Sequence, residues 1–188
     1  MKPCIVENFP VISSERLTLR SHQESDKKAY FDLMSNEEAM RFYGRVPMKE
    51  HTEVDIDFET IENGFRTSNF IKWAIELNSS HQLIGGVGAW GLQNPHNRAT
   101  ISCLLSPEFW KKGLACEALL KMVEYLFEAL NKNRLHLYVD PVNTRAVNLF
   151  KRVGFKHEGI LREYEYENGK FIDIAIMSFL KQDFISSK

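Results

Sequence analysis

Apolar and polar positions along the chain follow two periods, and the switches between them divide it into short strands and helices. Residues 15–20 alternate and predict a first strand. Residues 24–34 and 50–67 carry helical spacing, separated by turn chemistry around Tyr43–Gly44 and Pro47. Ser35 followed by Glu38 matches a capping box between them. Residues 70–77 alternate strictly, with Ile71, Trp73, Ile75 and Leu77 on one face. Asn78–Ser79–Ser80 turns the chain into an apolar strand over 82–92, and 99–105 alternates again, grouping Ala99, Ile101, Cys103 and Leu105. A long amphipathic helix is predicted over 113–130 from Leu114, Ala118, Leu119, Met122, Leu126 and Ala129, with Glu117 and Lys121 as an i,i+4 pair. Residues 135–139 read as a strand and 144–153 as a short helix ended by Gly154. Residues 155–161 and 171–179 read as a strand pair joined through the hairpin signal Asn168–Gly169.

This order predicts a mixed α/β (α+β) domain: a central sheet of about six to seven strands flanked by helices on both faces, its first half antiparallel. No repeat, low-complexity tract or Pro/Gly/Ser linker divides residues 1–188, so one domain is expected. With 44% hydrophobic and 26% charged residues, disordered, collagen-like and disulfide-scaffold classes are excluded. Lys and Arg total 24 against 25 Asp and Glu, so nothing global draws the chain to nucleic acid or to anionic lipid. Cys4, Cys103 and Cys116 are odd in number and far apart, which suits free thiols in a reducing compartment. No apolar run approaches the roughly 20 residues of a bilayer span. Lys2, Pro3 and Glu7 stand where a signal peptide would be apolar, so a cytoplasmic location is expected.

Two glycine-bearing segments invite a phosphate reading. Gly86–Val87–Gly88–Ala89–Trp90–Gly91 satisfies G-x-G-x-x-G, but the chain continues into the turn residues 92–97 and opens no helix there. Its glycines are read instead as close packing within a strand. Trp110–Lys111–Lys112–Gly113–Leu114–Ala115 has the right context: it follows a strand and a Ser106–Pro107 bend and opens the long helix. Amides at such a start form an anion cradle, and Lys111 and Lys112 add two cations. The plain alternative is a helix start with solvated lysines. The six histidines lack metal-ligand spacing, no metal site is expected, and the signatures of P-loop and triad chemistry are absent.

Downstream, the run from Arg134 to Gly159, with Asn143 leading a helix and Lys151–Arg152–Val153–Gly154–Phe155–Lys156–His157–Glu158–Gly159 closing it, resembles the end of a GNAT-superfamily acyltransferase. Glu15–Arg16–Leu17–Thr18–Leu19–Arg20 and Asn168–Gly169–Lys170–Phe171–Ile172–Asp173 are similar to the RimJ/RimL branch, which acetylates protein N-termini. The resemblance implies a GNAT fold with a splayed pair of parallel strands, ending here at Leu105 and Val139, and acetyl-CoA held between them. It places pantetheine on the backbone of Cys103, Leu104 and Leu105, the pyrophosphate on Lys112, Gly113, Leu114 and Ala115, and Asn143, Asn148, Lys151 and Arg152 along the cofactor's other side. Asn143 also suits a helix N-cap.

The chain departs from the family where proton transfer is usual. The tyrosine of many members is Phe150, a serine of RimL-like members is Ala146, and the fourth-strand carboxylate is Thr100; apart from these, the superfamily's usual Gln or Arg at the start of the pyrophosphate loop is Trp110, in which the chain resembles the RimJ/RimL branch. Glu165 stands where RimL-like proteins carry a base, with Tyr166 and Tyr164 as proton donors. On spacing alone, Glu163, Glu165 and Glu167 instead share one exposed strand face. Cys103 invites an acyl-cysteine, yet its alternation suits a small core residue. Asp173 reads as a buried carboxylate or a solvent-face residue.

A protein N-terminal α-amine, about 10% neutral at pH 7, is the leading acceptor, a ribosomal protein being one candidate. A polyamine or aminoglycoside acetyltransferase, or a non-catalytic CoA-binding regulatory module, is the alternative. A homodimer is the remaining partner expectation.

Overall fold

These stretches fold, in a computed structural model that describes residues 8–167 and 169–186, into eight strands and six α-helices among the described residues. Strands β1 (Ile12–Ser13) and β2 (Leu17–Arg20) precede helices α1 (Lys27–Met34), α2 (Glu37–Met40) and α3 (Thr52–Arg66). Strands β3 (Phe70–Leu77), β4 (Gln82–Trp90) and β5 (Arg98–Leu105) follow, then α4 (Leu114–Glu128), β6 (Arg134–Val139) and α5 (Thr144–Val153). The pair β7 (Lys156–Glu167) and β8 (Lys170–Leu180) and the short α6 (Lys181–Ser186) end the chain. Cys4 and the residues around it, and Asn168 of the hairpin signal, lie outside the described residues.

One sheet contains all eight strands in the order β1-β2-β3-β4-β5-β6-β8-β7. The expected six to seven strands become eight because β1 adds a two-residue ribbon at the edge, too short to show a period. All neighbours run antiparallel except β5 and β6, which pair in parallel only from Arg98↔Arg134 to Thr100↔His136. Beyond that point β5 continues to Leu105 on β4, while β6 continues to Val139 on β8. The sheet therefore opens into a V between two strands that remain supported from behind.

Each face of the sheet carries helices because each apolar set needs cover. Ile71, Trp73 and Ile75 pack with Leu119, Met122, Leu126 and Phe127 of α4. Ala74, Leu83 and Leu104 pack with Tyr30, Leu33, Val54 and Ile61 from α1 and α3. Burial of each large side chain contributes roughly 1.5–3 kcal/mol before its entropy cost. On α4 the buried stripe takes Val123 and Phe127, whereas Ala129, expected inside, faces solvent at the fraying last turn. Gly86 and Gly88 of the G-x-G-x-x-G stretch lie in strand β4 and are closely packed: a Cβ on Gly88 would lie 2.5 Å from the Trp90 ring, and one on Gly86 3.2 Å from the Trp73 carbonyl oxygen, while Gly91 follows the strand.

The capping box is corrected by one residue. Ser35 has helical angles (φ −91, ψ −9) and finishes α1, so it cannot cap α2. Asn36 is extended, and its Oδ1 accepts from Ala39 N at 2.9 Å. Asn36→Ala is expected to lower unfolding free energy by about 1 kcal/mol in a denaturant titration, and Ser35→Ala to change it by only a few tenths. Equal losses would contradict the assignment.

The β7–β8 hairpin is irregular. Its register shifts between Leu161 and Glu165, Glu163 has φ +50, and the exposed Asp173 caps the bulge by accepting from Glu163 N at 2.9 Å. The bulge breaks the expected single face of Glu163, Glu165 and Glu167: Glu163 is exposed, while Glu165 and Glu167 turn half-buried toward the open V. Among the described residues no helix is long and apolar enough to cross a membrane.

Candidate functional site

The V holds two cavities that meet. One, of about 430 Å³, runs from the backbone of Cys103, Leu104 and Leu105 to the start of α4. The other, of about 380 Å³, lies between Ser102 on β5, Tyr138 and Asp140 at the end of β6, and Glu165 and Glu167 on β7. Phe42, Tyr43, Cys103, Asn143 and Ala146 line both and mark the junction.

At the first cavity, the chain leaves β5 through Ser106 and one 3-10 turn (Pro107–Phe109), and Trp110 Nε1 donates to the Leu105 carbonyl at 2.7 Å. Lys111 (φ +61) and Gly113 (φ +79) are both left-handed, which curls successive amides around one point. Helix α4 begins at Leu114, and its first amides have no carbonyl a turn earlier to accept them. Amides, helix dipole and the Lys111 cation thus converge on a site for an anion.

Arg16 braces this loop from behind. Its Nη1 donates to the Lys112 carbonyl at 2.9 Å and its Nε to Glu117 Oε2 at 2.7 Å, while Ser14 Oγ donates to Glu117 Oε1 at 2.8 Å. Glu117 is therefore not the partner of Lys121, which pairs with Glu124 at 2.9 Å. The cation is better placed on Arg16 because the salt bridge ties β2 to the loop across the fold. Gly113, Leu114 and Ala115 line the cavity. The Lys112 side chain does not: its Nζ lies 5.2 Å over the Phe109 ring.

Helix α5 forms the opposite wall through Arg145, Asn148, Leu149 and Arg152, a one-face spacing, with Lys151 turned off it by about 100°. Arg145 places its guanidinium carbon 3.3 Å from the Trp110 ring centroid, clasping the two walls together. Asn143 caps α5, its Oδ1 accepting from Ala146 N at 3.2 Å. That leaves its amide N–H groups as donors in the junction.

The second cavity is acidic. Asp140, Glu165 and Glu167 share it, and burial, followed by the charges of Glu167 and Asp140, raises the Glu165 carboxyl above its ordinary value. Tyr166, one strand position from Glu165, projects the other way, is 64% exposed and packs its ring 5.0 Å from Phe171, so it lines neither cavity. Tyr164 likewise stays outside, stacked on Tyr138 at 5.8 Å. Burial pushes the Cys103 thiol up to about 12, which disfavours the thiolate that an acyl-cysteine route needs. Phe150 and Ala146 line the acidic cavity with carbon alone, and Thr100 Oγ1 is engaged with His136 Nε2 at 3.0 Å. Among the described residues, no group of three His, Cys, Asp or Glu side chains could hold a metal ion.

Sequence reasoning missed Tyr43, Asp140, Arg145 and the brace by Arg16. Asp140 was within reach, since it ends a strand of the predicted V. The others depend on contacts between distant segments.

Comparison with known proteins agrees with this geometry. Residues 16–156, three quarters of the chain, match the acetyltransferase (GNAT) domain. An uncharacterized N-acetyltransferase of Bacillus subtilis, YoaA, is 34% identical over 92% of this chain and 98% of its own length. A spermidine N(1)-acetyltransferase of Vibrio cholerae is 26% identical over 92% of this chain and 98% of its own. The crystal structure of a Vibrio cholerae spermidine N-acetyltransferase, in complex with CoA and spermine, superposes with a TM-score of 0.81 at 26% identity, over 92% of this chain and 99% of that one. Domain match, sheet topology and the anion cradle at the mouth of the V converge on one assignment: the chain belongs to the GNAT family and is an acetyl-CoA-dependent N-acetyltransferase.

Proposed function

We propose that the acceptor is a small primary amine carrying at least one further positive charge, of the polyamine class. The observation that carries this reading is the acidic cavity, where Asp140, Glu165 and Glu167 gather beside the junction. Two unit charges 4 Å apart attract by about 4 kcal/mol at an effective dielectric of 20, so three carboxylates select a multiply charged ligand over a neutral or singly charged one. The similarity to a spermidine acetyltransferase points the same way.

In this reading acetyl-CoA lies in the first cavity, with its pyrophosphate on Gly113, Leu114 and Ala115 and its thioester beside Cys103 and Asn143. The distal ammonium groups sit against Asp140 and Glu167. Glu165 takes the proton from the reacting nitrogen, which must be neutral to attack. A backbone N–H near Leu105 steadies the carbonyl oxygen.

Thiol release from acetyl-CoA across spermidine, spermine, a monoamine of matched length and short peptides with free N-termini tests the proposal. Polyamines are expected to exceed the monoamine at least tenfold in kcat/KM, and Asp140→Asn with Glu167→Gln to raise the polyamine KM about tenfold, equivalent to about 1.4 kcal/mol. A peptide outrunning every polyamine would return the acceptor to a protein N-terminus and overturn the reading.

A further inference from the structure

Transfer of the acetyl group leaves a CoA thiolate that must acquire a proton, and the two positions usual for that donor hold Phe150 and Ala146, whose side chains carry no proton to give. We infer that Tyr43 is the proton donor to the leaving thiolate. The inference rests on the amine-acetylation reading above.

Position singles out this residue. The thioester has to stand where the two cavities meet, since one holds the cofactor and the other the amine. Of the five side chains lining both cavities, Phe42 and Ala146 are hydrocarbon and Asn143 spends its oxygen on the α5 cap. Cys103 and Tyr43 remain. Tyr43 alone of these has an O–H, and Ser102, which acts on that phenol and also lines the acidic cavity, can return a proton from solvent. Tyr138 lines only the acidic cavity, is 42% exposed and is stacked on Tyr164.

Burial acts on both partners of the transfer. It pushes the Cys103 thiol up to about 12, and a CoA thiolate formed at the same junction is made more basic in the same way. Burial, opposed by the Ser102 hydrogen bond, also raises the Tyr43 phenol, so the residue holds its proton throughout the neutral range until such a base forms. The loop that presents Tyr43 is fixed at both ends. Tyr43 N donates to Met40 O at 2.9 Å, Met48 N to Met34 O at 2.9 Å, and Arg45 Nη1 to Asp57 Oδ2 at 2.6 Å.

The step balances. The amine nitrogen bonds to the acetyl carbon, the C–S bond breaks, and its electron pair stays on sulfur. Sulfur takes the Tyr43 proton, the proton displaced from nitrogen leaves through Glu165, and the phenolate regains one from water through Ser102.

Tyr43→Phe removes one oxygen and leaves the ring. With acetyl-CoA and the amine that wild type turns over fastest, kcat is expected to fall about a hundredfold, while the acetyl-CoA dissociation constant by calorimetry stays within threefold. Adding Phe150→Tyr, which supplies a phenol from α5 to the acidic cavity beside the junction, is expected to restore at least tenfold of the loss. A Tyr43→Phe enzyme within threefold of wild-type kcat overturns this step alone. So does a loss of kcat matched by a loss of acetyl-CoA affinity, which marks a packing role. Wild type inactive toward every amine overturns the acceptor reading and this step with it.

Discussion

Gly113→Glu is expected to weaken acetyl-CoA binding several thousandfold, measured by titration calorimetry of the purified protein. Two effects add. Gly113 has φ +79, a conformation that costs other residues about 1 kcal/mol or more. The stronger effect is electrostatic: a carboxylate about 4 Å from a pyrophosphate opposes it by about 4 kcal/mol at an effective dielectric of 20, the reverse of what the α4 amides and Lys111 supply. Steric exclusion is not the cause, because the nearest atom to a Cβ built there is Arg16 Nη2 at 3.5 Å. Gly113→Ala separates the two effects: it carries the backbone cost alone and should weaken binding only about fivefold to tenfold. A Glu variant that binds like wild type would mean the pyrophosphate lies elsewhere.

The same loop illustrates how far the sequence can be read. Strand, Pro-bend and a Gly just before an amphipathic stripe are local signals, so the helix start was legible in the sequence by itself, while an anion cradle and a plain start with solvated lysines both stayed open there. The stripes of β3, α4 and α5 were legible for the same reason: a 2.0 or 3.6 period survives in a single segment. What escaped depends on partners far away in the chain. Glu117 appeared to belong to Lys121 a turn later, yet Arg16, 101 residues earlier, claims it through both backbone and side chain. Glu165 and Glu167 appeared to share a solvent face with Glu163, because the residues inserted by a bulge leave no mark on the alternation. Tyr43 stands in a turn-rich stretch with no period at all, and only the packing of α2 beside the V brings it to the junction. The proposed cofactor site is written locally, and the proposed acceptor site is assembled across the fold.

That assembly makes Glu165 the position where the proposed reaction is most sensitive. Glu165→Gln is expected to lower kcat between a hundredfold and ten-thousandfold with acetyl-CoA affinity unchanged. An alkyl amine with pKa near 10.4 is below about 0.1% neutral at pH 7, so an enzyme acting on such amines depends more on its base than one acting on an α-amine. Glutamine keeps the size and one acceptor oxygen but cannot take the proton. The pH profile tests the role independently. Burial, then the neighbouring charges of Glu167 and Asp140, holds the Glu165 carboxyl above its ordinary value. A base works in its ionised form, so kcat/KM should fall as pH drops through that raised value. Removing a like charge by Glu167→Gln favours ionisation and should move the acid limb to lower pH, while Glu165→Gln should abolish the limb. If the limb persists unshifted in Glu165→Gln, the titrating group is another residue, and the three carboxylates bind the acceptor without deprotonating it.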